Sequence, residues 1–408
     1  MALEVTRAAH ALADAAARLR DADFPARVRA TRALRVRTGY TEPVIDYALD
    51  ALFGAIDATT ILATIAGELG ELAALGNFVA RAGRPDVAYM PLARAAIVSS
   101  DTTIGVALPP LLFALCAGCR VDVKERDDGL IRAFIETLAD ESPELAARAT
   151  ARSWHGTDDA AGRAHVGDVD VALAFGGDAA LVAIRAMLRP GARFVGFGHR
   201  TSVGYVTRDT LATQANAWVA ARAAARDALL YDGDGCLSSH AVLVESGAAV
   251  VPSAFAAMLA EACASVAVEF PAGYAARDPA LTAYLRAAEF RASQGRAAVY
   301  ADHRAPHAVT FEASHTIAPP LLRRTVACFS VDGPDDALAY VRRHALPLEG
   351  IAFSTDPGAP RRADLVAFAR ACGASRVAPL GDLQRPPLNG EHGGEGRIRP
   401  FVRAIYRA

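Results

Sequence analysis

Two nucleotide-binding signatures are missing from this sequence. It has no G-x-G-x-x-G and no G-x-x-x-x-G-K-[ST], which excludes an ordinary Rossmann fingerprint and a P-loop. It lacks a charge excess as well: 43 Lys and Arg stand against 45 Asp and Glu, a formal net charge of -2. That balance gives no reason to expect a nucleic-acid or membrane-surface binder. No signal-peptide core is visible, and no segment reads as apolar over the roughly 18 residues a membrane helix needs. The first stretch, MALEVTRAAHALADAAARLRDADF, has the Arg and Ala of a transit peptide, but Glu4, Asp14, Asp21 and Asp23 point to an amphipathic helix. The expectation is a cytoplasmic chain without membrane insertion. Cysteine is scarce, with six in 408 residues. Cys116 and Cys119 form a C-x-x-C without a second pair or a nearby histidine, so they read as buried small side chains and no metal site is expected.

What is present is ample apolar material, 52% of the chain, arranged in alternating periods. Residues 1 to about 90 read mostly as helices, with Gly70 or Gly76 as a stop. AAIVSS, GVALPPLLFALCAG and CRVDVK then form a β-α-β unit, which favours a parallel sheet with a right-handed crossover. The alternation continues through IRAFIETLADE, DVDVALAFGG, DAALVAIRAML and ARFVGFG. It restarts past residue 225 with AVLVES, PSAFAAMLAEACASVAVEF, TVACFSV, DDALAYVRRH and GIAFST. This predicts two doubly wound α/β domains: a helical region plus the first domain over 1–227, and the second over 228–385. The Gly- and Pro-rich tail, 386–408, is expected to lie on the body or on a partner subunit.

Ligand sites in such sheets lie at the carboxyl ends of strands. Lys124 ends RVDVK, where an ammonium reaches a ribose or phosphate. Gly176 and Gly177 end ALAFGG and open a helix; they serve either to admit a phosphate to free backbone N–H groups or to make a tight strand-to-helix turn. The remaining chemistry centres on Cys236 in YDGDGCLSSH. A glycine before it and polar residues after it suit an exposed nucleophile whose thiol is activated by a following helix N-terminus. A chance loop thiol is the other reading.

Taken together, these blocks resemble the LuxC-like acyl-CoA reductase family of the aldehyde dehydrogenase superfamily. The resemblance is carried by GVALPPLLFALCAGCRVDVK, VALAFGGDAALVAIRAMLRPGARFVGFGHRTS, ARDALLYDGDGCLSSH, VACFSVDGPDDALAYVRRHALPLEGIAFSTD and PLGDLQRPPLNGEHGGEGRIRPFV. It implies an aldehyde-dehydrogenase-like fold with a nicotinamide-cofactor domain and a catalytic-cysteine domain. It implies that Cys236 attacks an acyl thioester, that coenzyme A or a carrier-protein thiol leaves, and that hydride then yields an aldehyde. Gly196 falls where oxidising relatives carry a glutamate base, so nothing there activates water against the acyl-enzyme. His199 is either a proton donor or a structural hydrogen-bonding residue. Asp101 falls where the superfamily has an oxyanion-binding asparagine. Lys124 and Arg126 suit the 2′-phosphate of NADPH, whereas Asp127 suits the ribose of NADH. His392, Arg397 and Arg399 bind a carrier or cofactor phosphates, or form a solvated or interface tail. A homo-oligomer is a further expectation. The alternatives from other classes are a cysteine acyltransferase or thioesterase that works without hydride, and a catalytically degenerate scaffold.

Overall fold

The computed structural model describes residues 2–100, 103–125, 129–273, 278–300, 307–355 and 363–407. The chain divides into two units, one made of Met1–His199 with Pro387–Ala408 and the other of Arg200–Pro386.

The first unit opens with four helices, Ala2–Arg20, Pro25–Thr38, Glu42–Gly54 and Ala58–Leu69. Asp57 caps the fourth by accepting from the Thr60 N–H, and Gly70 ends it. The chain then turns extended earlier than expected, in β1 (Val79–Arg81) and β2 (Arg84–Pro91). Five parallel strands follow: β3 (Arg94–Val98), β4 (Arg120–Lys124), β5 (Ala149–Arg152), β6 (Val171–Phe175) and β7 (Arg193–Phe197). Their order across the sheet is β5-β4-β3-β6-β7. The chain therefore winds one way from β3 and then reverses to β6, the switch-point arrangement that leaves a crevice at the carboxyl ends. Helix Leu108–Ala117, nearly all buried, makes the first crossover and stops at Gly118, whose φ of 97° suits glycine. All five β6 residues are buried, as a strand covered on both faces requires.

The second unit holds β8 (Thr201–Val206), β9 (Ser239–Glu245), β10 (Ala297–Tyr300), β11 (Ala308–Glu312), β12 (Thr325–Val331), β13 (Leu348–Phe353) and β14 (Arg376–Pro379). They form one sheet in the order β10-β11-β12-β9-β8-β13-β14. Every pairing is parallel except β10 with β11. The unit begins at Arg200 rather than at residue 228, because β8 lies in the middle of this sheet, between β9 and β13. Tyr205, Leu243, Phe329 and Phe353 form its core together with Phe368 of helix Ala363–Cys372. Helix Pro252–Glu269 meets the length and apolarity of a membrane span, which the sequence reading did not anticipate. Its stripe of Phe255, Leu259, Ala262 and Val266 is buried, and it packs against helix Gln214–Leu229.

The chain then returns to the first unit. β15 (Val402–Arg407) pairs antiparallel with β2, so the tail ends in a regular strand instead of an irregular segment.

Candidate active site

In the first unit, the carboxyl ends of β3, β4 and β6 gather the polar groups. The Ser99 N–H donates to the Lys124 carbonyl at 3.0 Å, which ties the ends of β3 and β4 together. Lys124 is buried at 7% exposure, and its Nζ lies 4.8 Å from the ring centroid of Trp154, just past β5. A cation over an indole face is attracted to the ring where full hydration is lost. Lys124 is also the chain's only lysine among 43 basic Lys and Arg residues. That composition signal marks the position, whereas Trp154 has no signal of its own in the sequence. The next residue, Glu125, is buried and turns its carboxylate onto Arg132, accepting from the backbone N–H at 3.3 Å and lying 3.2 Å from Nη2.

Gly176 and Gly177 link β6 to helix Asp178–Met187, with Gly177 as the N-cap residue. Neither has a positive φ. A Cβ at Gly177 meets nothing within 4 Å, and one at Gly176 meets only the Ala180 Cβ at 3.7 Å. Internal packing therefore does not require glycine here, whereas close approach of a phosphate to the helix N-terminus does. Beside them, Phe175 and Phe197 stack at 4.8 Å, and the His392 ring meets both edge-on at 5.3 and 4.5 Å. Gly196, in β7, has no room for a larger residue, since a Cβ would lie 2.8 Å from the Phe194 ring. His199 is exposed where the chain leaves β7. Asp101, Arg126 and Asp127 lie outside the described residues.

In the second unit, the YDGDGCLSSH stretch is a compressed turn. Tyr231, Asp232 and Gly233 adopt left-handed backbone in succession, at φ 57°, 54° and 76°. A buried ion pair holds this conformation, with Arg324 Nη1 donating to Asp232 Oδ1 at 2.9 Å. Cys236 occupies the next turn, closed by the Ser238 N–H donating to the Gly235 carbonyl at 2.9 Å. Two side chains fasten that turn: Ser202 Oγ donates to the Cys236 carbonyl at 2.9 Å, and Gln384 Nε2 donates to Ser238 Oγ at 2.9 Å.

Around Ser202 both neighbouring strands are irregular. The register between β8 and β13 slips between Leu348 and Gly350, which makes Glu349 the extra residue. The register between β8 and β9 slips after Ser202–Ser239, which makes His240 extra. Bulges re-aim side chains and recur beside active sites. Glu349 is buried, accepts from Ser375 Oγ at 2.5 Å and lies 3.6 Å from Arg200 Nε.

The thiol's activation differs from the expected one. Strand β9, not a helix, follows Cys236, so no helix N-terminus supports a thiolate. Burial pushes the thiol up to about 12, and the Glu349 carboxylate pushes the same way. The backbone N–H groups of Cys236 and Leu237 and the Arg200 guanidinium oppose them without prevailing. Cys236 is therefore a neutral thiol at neutral pH that needs a proton acceptor to become a nucleophile. The C-terminal cluster is no solvated tail either. Arg397 is buried and donates from Nε to the Gly390 carbonyl at 2.5 Å, and Arg399 Nη2 donates to the Glu68 carbonyl at 2.7 Å. Among the described residues no cluster of three or more His, Cys, Asp or Glu side chains is arranged to hold a metal.

A family model described as acyl-CoA reductase (LuxC) matches residues 1–404. No curated protein matches the sequence. Among solved structures, the chain is similar to a NAD-dependent benzaldehyde dehydrogenase from Corynebacterium glutamicum, with a TM-score of 0.69 and 15% identity, covering 99% of this chain and 86% of that one. It is similar to the indole-3-acetaldehyde dehydrogenase of P. syringae, solved with NAD+ (TM-score 0.71, 13% identity, 99% and 84% covered). A glyceraldehyde-3-phosphate dehydrogenase from Methanocaldococcus jannaschii, complexed with NADP, aligns with a TM-score of 0.69 at 9% identity, covering 98% and 89%. These likenesses establish an aldehyde-dehydrogenase-like fold.

Proposed function

Because the chain belongs to the acyl-CoA reductase (LuxC) family, we propose a residue-level route for the reaction that this membership gives it, the NAD(P)H-dependent reduction of an acyl group to an aldehyde. Cys236 is the nucleophile. Its sulfur forms the bond to the thioester carbonyl carbon, and the thiol of coenzyme A or a carrier protein leaves. The N–H groups of Cys236 and Leu237, which act on the sulfur in the resting site, favour negative charge at this turn. When bound, the nicotinamide cofactor supplies the hydride that turns the acyl-cysteine into a thiohemiacetal. Collapse of that adduct expels the aldehyde and restores the Cys236 sulfur. Gly196 offers no carboxylate to activate water, so the acyl-cysteine persists until it is reduced.

Lys124, Gly176 and Gly177 hold the cofactor, the lysine by charge and the glycines by leaving the helix N-terminus bare. NADPH is the preferred form in this reading. The Lys124 ammonium, at the carboxyl end of β4, is the charge that suits a 2′-phosphate. A homo-oligomer fits the small β1-β2-β15 sheet, which carries exposed Met90, Ile405 and Tyr406. The six free cysteines suit a reducing, cytoplasmic location.

The observation that carries this reading is the Cys236 turn, fastened by Gln384 and by Ser202, which pairs with a bulged strand on each side. The test follows NADPH absorbance with an acyl-CoA and the full chain. Wild type consumes cofactor, and Cys236→Ala does not. Acylation of Cys236 without cofactor loss makes the protein an acyltransferase, and neither event makes it a scaffold.

A further inference from the structure

The Cys236 thiol is neutral and partly buried, and the position where oxidising relatives place a base is Gly196. The second unit supplies a carboxylate of its own. Strand β13 runs directly behind the Cys236–Leu237 turn: a Cβ built on Gly350 would lie 2.8 Å from Leu383, 3.0 Å from Ser202 Oγ and 3.4 Å from Leu237. The adjoining residue, Glu349, is the bulge residue of that strand, 7% exposed and held by Ser375 and Arg200. Among the ionisable side chains around the turn, it acts most strongly on the thiol. A buried carboxylate near a neutral thiol can take its proton. The other bulge residue, His240 on β9, is the comparison.

We propose that Glu349 is the general base of the acylation step and the general acid for its leaving group. This rests on Cys236 being the residue acylated. The Glu349 carboxylate takes the thiol proton, and the freed sulfur pair forms the bond to the thioester carbonyl carbon. The bond from that carbon to the leaving sulfur breaks, and the departing thiolate takes the proton back from Glu349. The carboxylate is restored, the charge is unchanged through the step, and no oxidant or reductant is required. Arg200 is the cation shared by Glu349 and the thiol.

The test is stopped-flow release of coenzyme A from an acyl-CoA by the full chain without reduced cofactor, from about pH 6 to about pH 9. With Glu349 as base the wild-type rate stays flat across that range, because the thiol proton passes to a side chain of the protein and not to hydroxide. Glu349→Gln slows release about 100-fold or more near pH 7 and then climbs about tenfold per pH unit, as an unassisted thiol does. A wild-type rate that already climbs tenfold per unit overturns the proposal without reference to any variant. So does a Glu349→Gln rate equal to or above wild type, the result if Glu349 only repels the thiolate. A rate that becomes steep in His240→Asn while Glu349→Gln stays flat moves the base to histidine, the commonest general base near neutral pH. Mass spectrometry of the acylated protein separates the two claims. A label on Cys236 with a steep rate overturns Glu349 alone, and a label elsewhere, or none, overturns Cys236 itself.

Discussion

Asp232 and Asp227 are both buried carboxylates, but their surroundings give them different fates. Asp232 faces Arg324, fully buried, and also accepts from the Gly273 N–H at 3.3 Å. Left-handed backbone at Tyr231 and Asp232 costs on the order of 1–2 kcal/mol per residue, and this pair holds the turn against it. Arg324→Met leaves the Asp232 charge buried without its partner. Stability should fall by about 3–5 kcal/mol, read as a lower urea midpoint with an unchanged slope. Asp227 feels the Arg376 cation only weakly. It accepts from Gly381 N–H at 2.7 Å and Leu383 N–H at 3.1 Å, and burial pushes it up to about 7. A carboxyl raised above its unfolded value stabilises the fold fully below pH 4, and that contribution is lost as pH rises through 7. Against Asp227→Asn, wild-type stability should therefore fall by a few kcal/mol between about pH 4 and about pH 7, measured as melting midpoints across that range.

At the scale of elements, the informative junctions are where strands end. Gly177 sits between β6 and helix Asp178–Met187 with open space around its absent side chain. Gly177→Val should leave the melting temperature within about 2 °C, because nothing inside the protein is displaced. It should raise the Kd for NADPH at least tenfold, since the added methyls stand where a phosphate meets the helix N-terminus. Equal cofactor affinity in the two proteins would remove the glycines from the site. Legibility followed the same division. The strands VALAF, TVACF and GIAF were readable because buried parallel strands are continuous apolar runs. TSVGYV was not, because its serine, threonine and glycine mask a strand whose six residues are all buried.

Over the whole molecule, the chain leaves the first unit after His199 and returns at Pro387. Glu68, at the end of the fourth helix, receives the returning segment. Its carboxylate accepts from the N–H groups of Arg397 at 2.5 Å, Ile398 at 3.1 Å and Arg399 at 3.2 Å. Hydrogen bonds to a charged group contribute about 1.5–3 kcal/mol each, so this one side chain secures the route into β15. Glu68→Ala should accelerate amide exchange at Ile398, Arg399 and the β15–β2 ladder first, with β3 and β6 still protected. Uniform loss of protection across both sheets would mean that Glu68 supports the fold as a whole and not the tail alone.

Alternating apolar periods determined the two α/β units, and the blocks around Lys124, Gly176 and Cys236 carried the resemblance on which the proposed chemistry rests. Both are local properties: a strand's apolar run, a turn's glycines, and the one lysine kept in an arginine-rich chain are complete within a few neighbouring residues. The tertiary structure decided what depends on partners distant in sequence. It moved the unit boundary to Arg200, since β8 belongs to whichever sheet supplies its neighbours. It turned Cys236 from an activated thiolate into a partly buried, neutral thiol, because desolvation and Glu349 outweigh the local N–H groups. Glu349 itself reads as an ordinary charge in PLEGIAF. Only the slip in register against β8, and the packing of the cysteine turn onto the adjoining Gly350, bring its strand position next to that turn.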